Sequence, residues 1–316
     1  MRTLGAMRWP LLAFACVCFA TASAEAITLD GQLDVGYDGP IAMQVTATIM
    51  GDNARGKIDY SDGSELDALY TKLVDGTLYL FFTGDQVWSQ NTDPGFFANH
   101  LNLFFDTRAG GQAVVRGDNF DVGQFPGYDA LAHLAGLTLE SGFEADYWFG
   151  TIPTGQPNWG LGPFHYNAWT AELLTAGGGP GSYLGWTGAG ASPGLTEGSN
   201  PFGVRVSIDN SNGAGVPSGC APASGAGVIT GIEWAIPLAA LGNPTECVTL
   251  VAFMGSKGNL MIGNQMLPPL PIGSCSWIAP DALNLAAIAG VQAVTICGTG
   301  TPTRRSTWGA IKTRYH

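Results

Sequence analysis

Residues Val228–Gly242 read Val-Ile-Thr-Gly-Ile-Glu-Trp-Ala-Ile-Pro-Leu-Ala-Ala-Leu-Gly. In the first half, Val228, Thr230, Ile232, Trp234 and Ile236 fall on one face. Ile229, Gly231, Glu233 and Ala235 fall on the other. This period of two is that of a strand with a buried face. It places Trp234 in the core and Glu233 outward. Pro237 ends the strand because proline has no N–H for the ladder. Leu238–Leu241 then makes one helical turn, closed by Gly242, a residue that tolerates the left-handed cap. The stretch marks a fold, not a catalytic site.

The same alternation recurs along the chain. Glu65–Val74 and Thr77–Thr83 flank Asp75-Gly76, a two-residue loop suited to a type I′ hairpin. His100–Asp106, Phe143–Phe149, Phe164–Thr170, Phe202–Ile208 and Gly290–Cys297 read as further strands. Cys247–Met254 is apolar on both faces, as a doubly covered central strand should be. Ile27-Thr28-Leu29 reads as an edge strand, and Gln44–Met50 as a β-branched strand-like run. Asp129–Leu137 has the composition of a short helix. Ala176–Pro201, rich in Gly, Pro, Ser and Thr, reads as a long loop packed on the sheet. Lys257–Asn284 reads as a Pro-rich loop. Many short strands, almost no helix and no internal repeat predict an all-β chain: one antiparallel β-sandwich, of jelly-roll or immunoglobulin-like type, with long Gly/Pro-rich loops.

The N-terminus carries Arg2 and Arg8, an apolar run at Leu11–Thr21, and the small-x-small site Ala22-Ser23-Ala24. The run is shorter than the about 20 residues that span a bilayer. This is the pattern of a secretory signal peptide over residues 1–24, and it predicts a secreted, extracellular or cell-surface protein. The sandwich is then expected over 25–303, with a basic tail at 304–316 that holds Arg304, Arg305, Lys312 and Arg314. No later stretch is long and apolar enough to cross a membrane. With 13 basic against 25 acidic residues the formal charge is −12, and the expected cleavage removes only basic residues. So acidic a surface repels nucleic acid and anionic membranes and suits cations or neutral glycans.

Four cysteines follow the leader: Cys220, Cys247, Cys275 and Cys297. Secretion and an even count point to two disulfides. Of three possible pairings, Cys220–Cys247 with Cys275–Cys297 is favoured, because each bond closes a modest loop. A zinc site is disfavoured by the lack of any Cys-x-x-Cys pair or nearby histidine.

Three pieces fall in a meaningful order: Ile27-Thr28-Leu29-Asp30-Gly31-Gln32-Leu33-Asp34, then Leu78-Tyr79-Leu80-Phe81-Phe82, then Glu233–Gly242. Together they resemble the family-9 carbohydrate-binding modules (CBM9) and the wider DOMON-like sandwich group. The chain is also similar to uncharacterised secreted bacterial proteins of the PEP-CTERM-associated type. Gly63-Ser64-Glu65-Leu66-Asp67, Gly142–Trp148 and Gly263-Asn264-Gln265-Met266-Leu267-Pro268 carry that similarity. It implies a secreted sandwich and brings no established activity. The chain departs from that group at its end, where Trp308-Gly309, Lys312 and Tyr315 form a short tag-like tail in place of a hydrophobic span.

Alternation also suggests a binding patch. Glu144, Asp146 and Trp148 share one strand face, and His165, Asn167 and Trp169 share a face of the next. If the 150–163 loop makes these strands antiparallel neighbours, six polar or aromatic side chains meet. Sugars bind such patches by stacking a C–H face on indole while carboxylates and amides take the hydroxyls. The competing reading is that the two tryptophans only pack beneath a loop. Trp88, Trp159 and Trp186 read as loop tryptophans. Asp59, Asp62, Glu65 and Asp67 could hold Ca²⁺, or form a solvated acidic hairpin. Gly190-Ala191-Ser192-Pro193-Gly194 matches a nucleophile-elbow pattern, but Pro193 removes the N–H an oxyanion hole needs. Glu144 and Asp146 could serve as a carboxylate pair, though a glycosidase sets their separation across a cleft. The sequence therefore predicts a non-catalytic glycan-binding sandwich without an obligatory cofactor. The alternative is a structural or surface-associated protein with no small ligand.

Overall fold

The computed structural model describes residues 26–48, 64–86, 99–120, 131–154, 165–188, 193–217, 219–275 and 278–298. The chain forms an all-β sandwich of two antiparallel sheets. In order, the strands are β1 (Ala42–Met43), β2 (Glu65–Val74), β3 (Thr77–Asp85), β4 (His100–Asp106), β5 (Tyr147–Thr154), β6 (His165–Leu174) and β7 (Gly177–Thr187). There follow β8 (Thr196–Glu197), β9 (Arg205–Ile208), β10 (Gly231–Pro237), β11 (Val248–Gly255), β12 (Ile262–Leu267) and β13 (Val294–Ile296). One sheet has the order β1-β2-β3-β10-β9. The other has the order β12-β11-β4-β5-β6-β7-β8, with β13 also paired to β11.

The expected markers sit where their chemistry puts them. Asp75 and Gly76 both have positive φ, 50° and 73°, so they make the primed turn that matches strand twist, and Val74 pairs with Thr77 across it. Strand β10 ends at Pro237, and a 3-10 turn, Leu238–Leu241, is capped by Gly242 in the left-handed conformation. Ile232, Trp234 and Ile236 face the core between the sheets, where they join Leu69, Leu80, Phe82, Leu103, Phe105, Phe149 and Leu250. The Trp234 ring meets Phe149 edge-on at 6.1 Å.

Glu233 does face away from that core, but it is not solvated. It is fully buried, because residues 30–37 fold across the outer face of β10. Its carboxylate accepts from Asp30 N–H at 3.0 Å, Gly31 N–H at 3.1 Å and the Tyr37 hydroxyl at 2.7 Å. The opening segment is thus a polar strap tied to one carboxylate, not the edge strand expected at 27–29. Glu233→Ala leaves three donors without an acceptor, two of them buried, and should cost about 3 kcal/mol. Urea melts of the variant check this as a lower Cm at unchanged m.

A second core lies on the outer face of the larger sheet. Phe104, Trp148, Ile152, Trp169, Val251 and Phe253 point outward and are covered by Val115, Leu131, Leu134, Leu137, Leu139, Phe143, Leu283 and Leu285. The molecule therefore has three layers: a five-stranded sheet, a larger sheet, and an irregular cover. The expected helix at 129–137 is reduced to a 3-10 turn, Ala132–Leu134, with residues 129–130 outside the described part. Within the expected loop at 257–284, Ile262–Leu267 is a strand paired with β11.

The largest departure is Ala176–Pro201. Its first half is β7, the full-length partner of β6. Glycine hides it, because alternation cannot be read where side chains are missing. The glycines are there for close approach. A Cβ at Gly178 would lie 1.7 Å from the Asp118 carbonyl oxygen, and one at Gly181 would lie 2.2 Å from the Phe120 ring.

The expected cysteine pairing is also corrected. The disulfide formed is Cys247–Cys297. It joins the start of β11 to the residue after β13, and the register Val248↔Ile296 brings those neighbours together. Loop length, the basis of the expectation, is overridden by strand pairing.

Candidate functional site

Strands β5 and β6 are antiparallel neighbours, as the proposed patch requires. The register runs Trp148↔Ala171, Gly150↔Trp169, Ile152↔Asn167 and Thr154↔His165. The six residues nevertheless have different fates. Trp148 is fully buried beneath the cover, and its indole N–H donates to Asn102 Oδ1 at 3.0 Å. Trp169 is 6% exposed, packed between the Phe120 and Tyr183 rings at 6.4 and 4.6 Å. These two tryptophans therefore pack.

The carboxylates of the patch are no better placed for a ligand. The alternation read from Phe143 breaks before the strand starts at Tyr147, because Phe143 and Ala145 turn into the same outer core as Trp148. Asp146 is buried. It accepts from Thr107 N–H and hydroxyl and from Arg108 N–H, at 2.7, 3.1 and 3.0 Å, and pairs with Arg108 Nε at 3.4 Å. It fixes the turn after β4. Glu144 is exposed, ahead of the strand, and accepts from Gly110 N–H at 3.2 Å.

His165 is half-buried, and Asn167 is buried beside it. They share the outer face of the same sheet at its β6–β7 margin, beyond the packed tryptophans. Trp186 stands opposite Asn167, and Tyr183 opposite Trp169. A register shift between Ala168 and Trp169 puts Leu184 and Gly185 both against Ala168. Leu184 enters the inner core. That bulge brings Tyr183 and Trp186, three apart, onto one face. The His165 and Trp186 rings meet at 5.1 Å, and both are half-buried. The Tyr183 hydroxyl donates to Asn167 Oδ1 at 2.9 Å. Burial, and then the nearby Glu197 carboxylate, push its phenol up to about 12, so it remains a donor at neutral pH. The short β8 borders the patch with exposed Thr196 and Glu197, through the pairs Trp186↔Thr196 and Gly185↔Glu197. The margin is thus an aromatic ring pair bordered by an amide, a phenol and a carboxylate.

This patch lies at the end of the sandwich where β3, β5, β7 and β11 finish and β2, β4, β6, β10 and β12 begin. A buried polar network rigidifies that end. Gln86 Nε2 donates to the Asn99 and Thr151 carbonyls at 3.0 and 2.7 Å, and the Thr151 hydroxyl donates to Gln86 Oε1 at 2.6 Å. Asn210 Nδ2 donates to the Gln86 carbonyl at 2.8 Å and to the Tyr166 hydroxyl. Residues 86, 99, 151, 166 and 210 come from both sheets, so the network locks one sheet end to the other.

The described part of the acidic stretch, Glu65 and Asp67, is likewise not solvated. Asp59 and Asp62 lie outside the described residues, but Glu65 and Asp67 are buried side by side. A bulge between Leu66 and Ala68 makes Asp67 the extra residue of β2. Asp67 Oδ1 accepts from Val216 N–H at 2.9 Å, and Glu65 Oε1 accepts from Asn212 Nδ2 at 3.2 Å. Burial pushes both carboxyls well above their usual range, and for Glu65 the Asp67 and Asp85 charges push the same way. Among the described residues, no group of three or more His, Cys, Asp or Glu side chains is arranged to hold a metal ion.

That pair sets a pH dependence. A carboxyl with a raised pKa holds its proton in the folded state after the unfolded chain has released it. Stability is then full below the unfolded pKa, about 4, and declines as pH rises through neutral toward the folded values. Asp67→Asn keeps the acceptor for Val216 and turns the second oxygen into a donor for Glu65. It should raise Tm by roughly 3–6 °C at pH 8 and change it little at pH 4.5; paired thermal melts at the two pH values check this.

Trp88, Trp159, the Gly190–Ser192 part of the nucleophile-elbow pattern, the leader and the basic tail lie outside the described residues. Among the described residues no helix is long and apolar enough to cross a membrane. Comparison with family models, with curated proteins and with solved structures found no match.

Proposed function

We propose that this protein is a secreted, non-catalytic carbohydrate-binding β-sandwich whose ligand lies along the β6–β7–β8 margin. The observation that carries this reading is the half-buried Trp186 indole, 5.1 Å from the His165 ring, on the same face as Asn167 and Tyr183. A pyranose ring stacks its C–H face on indole. The Tyr183 phenol, held by the buried Asn167 amide, and the exposed Glu197 carboxylate supply the few placed polar groups that orient its hydroxyls. The rigid polar network beside the patch supports a preorganised site. Asp146 is buried and holds the turn after β4, so it is not offered to a ligand beside Glu144. The acidic composition favours a neutral glycan over an anionic one.

Affinity electrophoresis of the purified protein through gels containing soluble glucans, xylan, mannan or galactan tests the reading. Retardation by at least one neutral polysaccharide is expected. Unretarded migration through all of them, in the presence and absence of Ca²⁺, would favour a structural or surface-associated protein with no small ligand.

A further inference from the structure

Cys220 and Cys275 lie on separate segments that meet at the closed edge of the sandwich. Residues 219–225 run beside 44–48: Gly219 N–H donates to the Thr48 carbonyl at 2.7 Å, Ala47 N–H to the Ala221 carbonyl at 2.8 Å, and Ala223 N–H to the Val45 carbonyl at 3.0 Å. Residues 273–274 meet the same stretch from its other side. Gly273 N–H donates to Thr46 Oγ1 at 3.0 Å, and Asn264 Nδ2 bonds both the Ala47 and Ser274 carbonyls. These contacts bring the Cys220 thiol to 3.8 Å from the Cys275 carbonyl oxygen. Both residues are half-buried, and both thiols are free.

We infer that Cys220 and Cys275 form a second disulfide, a covalent clasp across residues 44–48. The chemistry balances as thiol–disulfide exchange with a small-molecule or protein disulfide. One cysteine, as thiolate, attacks the donor's S–S bond, forming a mixed disulfide and releasing one donor thiol. The second cysteine attacks the mixed disulfide and releases the other donor thiol. Two cysteine thiols are oxidised and one donor disulfide is reduced. Partial exposure lets the donor reach the pair, while the backbone contacts hold both partners in place. The bond would close a loop with a sequence separation of 55, long enough for a large effect on the unfolded chain. It would also fasten residues 270–275, whose Leu270 packs on the outer core.

Mature protein secreted by its host, or refolded with oxidised glutathione, is denatured without reductant and its thiols alkylated. The inference expects no alkylated cysteine and a non-reduced peptide that joins Cys220 to Cys275. Two alkylated thiols at Cys220 and Cys275 would overturn it, as would peptides joining Cys220 to Cys247. Cys220→Ser and Cys275→Ser should each leave one alkylatable thiol and lower Tm by roughly 5–10 °C, with the double variant no lower than the singles. Additive losses in the double variant would mean that the residues only pack, and would also overturn it. The thiol count on the unsubstituted protein decides the matter even if a variant fails to fold.

Discussion

Trp186→Ala is expected to weaken polysaccharide binding about thirtyfold or more while moving Tm by no more than about 2 °C. The two parts of this result come from one geometry. Trp186 is half-exposed, at the margin of the sheet, and its indole meets the His165 ring rather than the outer core. Its removal deletes the stacking platform but opens no cavity beneath it. Isothermal titration with whichever polysaccharide retards the protein, run beside a thermal melt, measures both. Tyr183→Phe gives a graded companion. It keeps the ring against Trp169 and removes only the hydroxyl that donates to Asn167 Oδ1. If Trp186→Ala lost stability and affinity together, the tryptophan would be a packing residue and the margin would not be the site.

Trp148→Ala should behave in the opposite way. Trp148 is fully buried, packed in the outer core, and hydrogen-bonded to Asn102. Asn102 and Asn259 in turn exchange reciprocal amide bonds, Nδ2 to Oδ1 at 2.8 and 2.9 Å. Truncation leaves a large cavity and unpairs one bond of that network, a cost of about 4–5 kcal/mol. Chemical denaturation should show a fall of that size, near a third or more of the stability of an ordinary domain. Where the variant remains folded, at low temperature, its polysaccharide affinity should match the parent. The two tryptophans thus separate binding from packing by experiment, although the same alternation rule flags both kinds.

That contrast shows what the sequence could reveal. Periodicity tells which way a side chain points, and it did so correctly for Trp234, His165, Asn167 and Trp169. It does not tell whether that face meets water. Glu233 points away from the inner core, as its position implies, yet residues 30–37 bury it. Trp148 and Trp169 point to the outer face, yet Val115 and the cover from 131–145 and 283–285 close over Trp148, and Phe120 closes over Trp169. Such covers are irregular chain and leave no periodic trace.

Bulges hide as much as covers do. Tyr183 and Trp186 would face opposite ways in a regular strand, and only the doubled Leu184-Gly185 opposite Ala168 brings them together. Asp67 is likewise the extra residue in β2. The Tyr-Leu-Gly-Trp-Thr sequence at 183–187 was the available signal, an aromatic pair astride a glycine inside a low-complexity stretch. By contrast, the Asp-Gly hairpin and the Ile-Pro stop were legible because each depends on its own backbone and not on distant chain. The disulfide pairing was not legible for the converse reason. It follows from β11–β13 register, a long-range fact.

Hydroxyl-radical footprinting of the tryptophans, with and without the retained polysaccharide, tests the binding face most directly. The account predicts that Trp186 oxidises readily in the free protein and is protected at least severalfold by the ligand. Trp148 and Trp234 should stay unmodified in both samples. Protection elsewhere with Trp186 unchanged, or ready oxidation of Trp148 in the free protein, would contradict it.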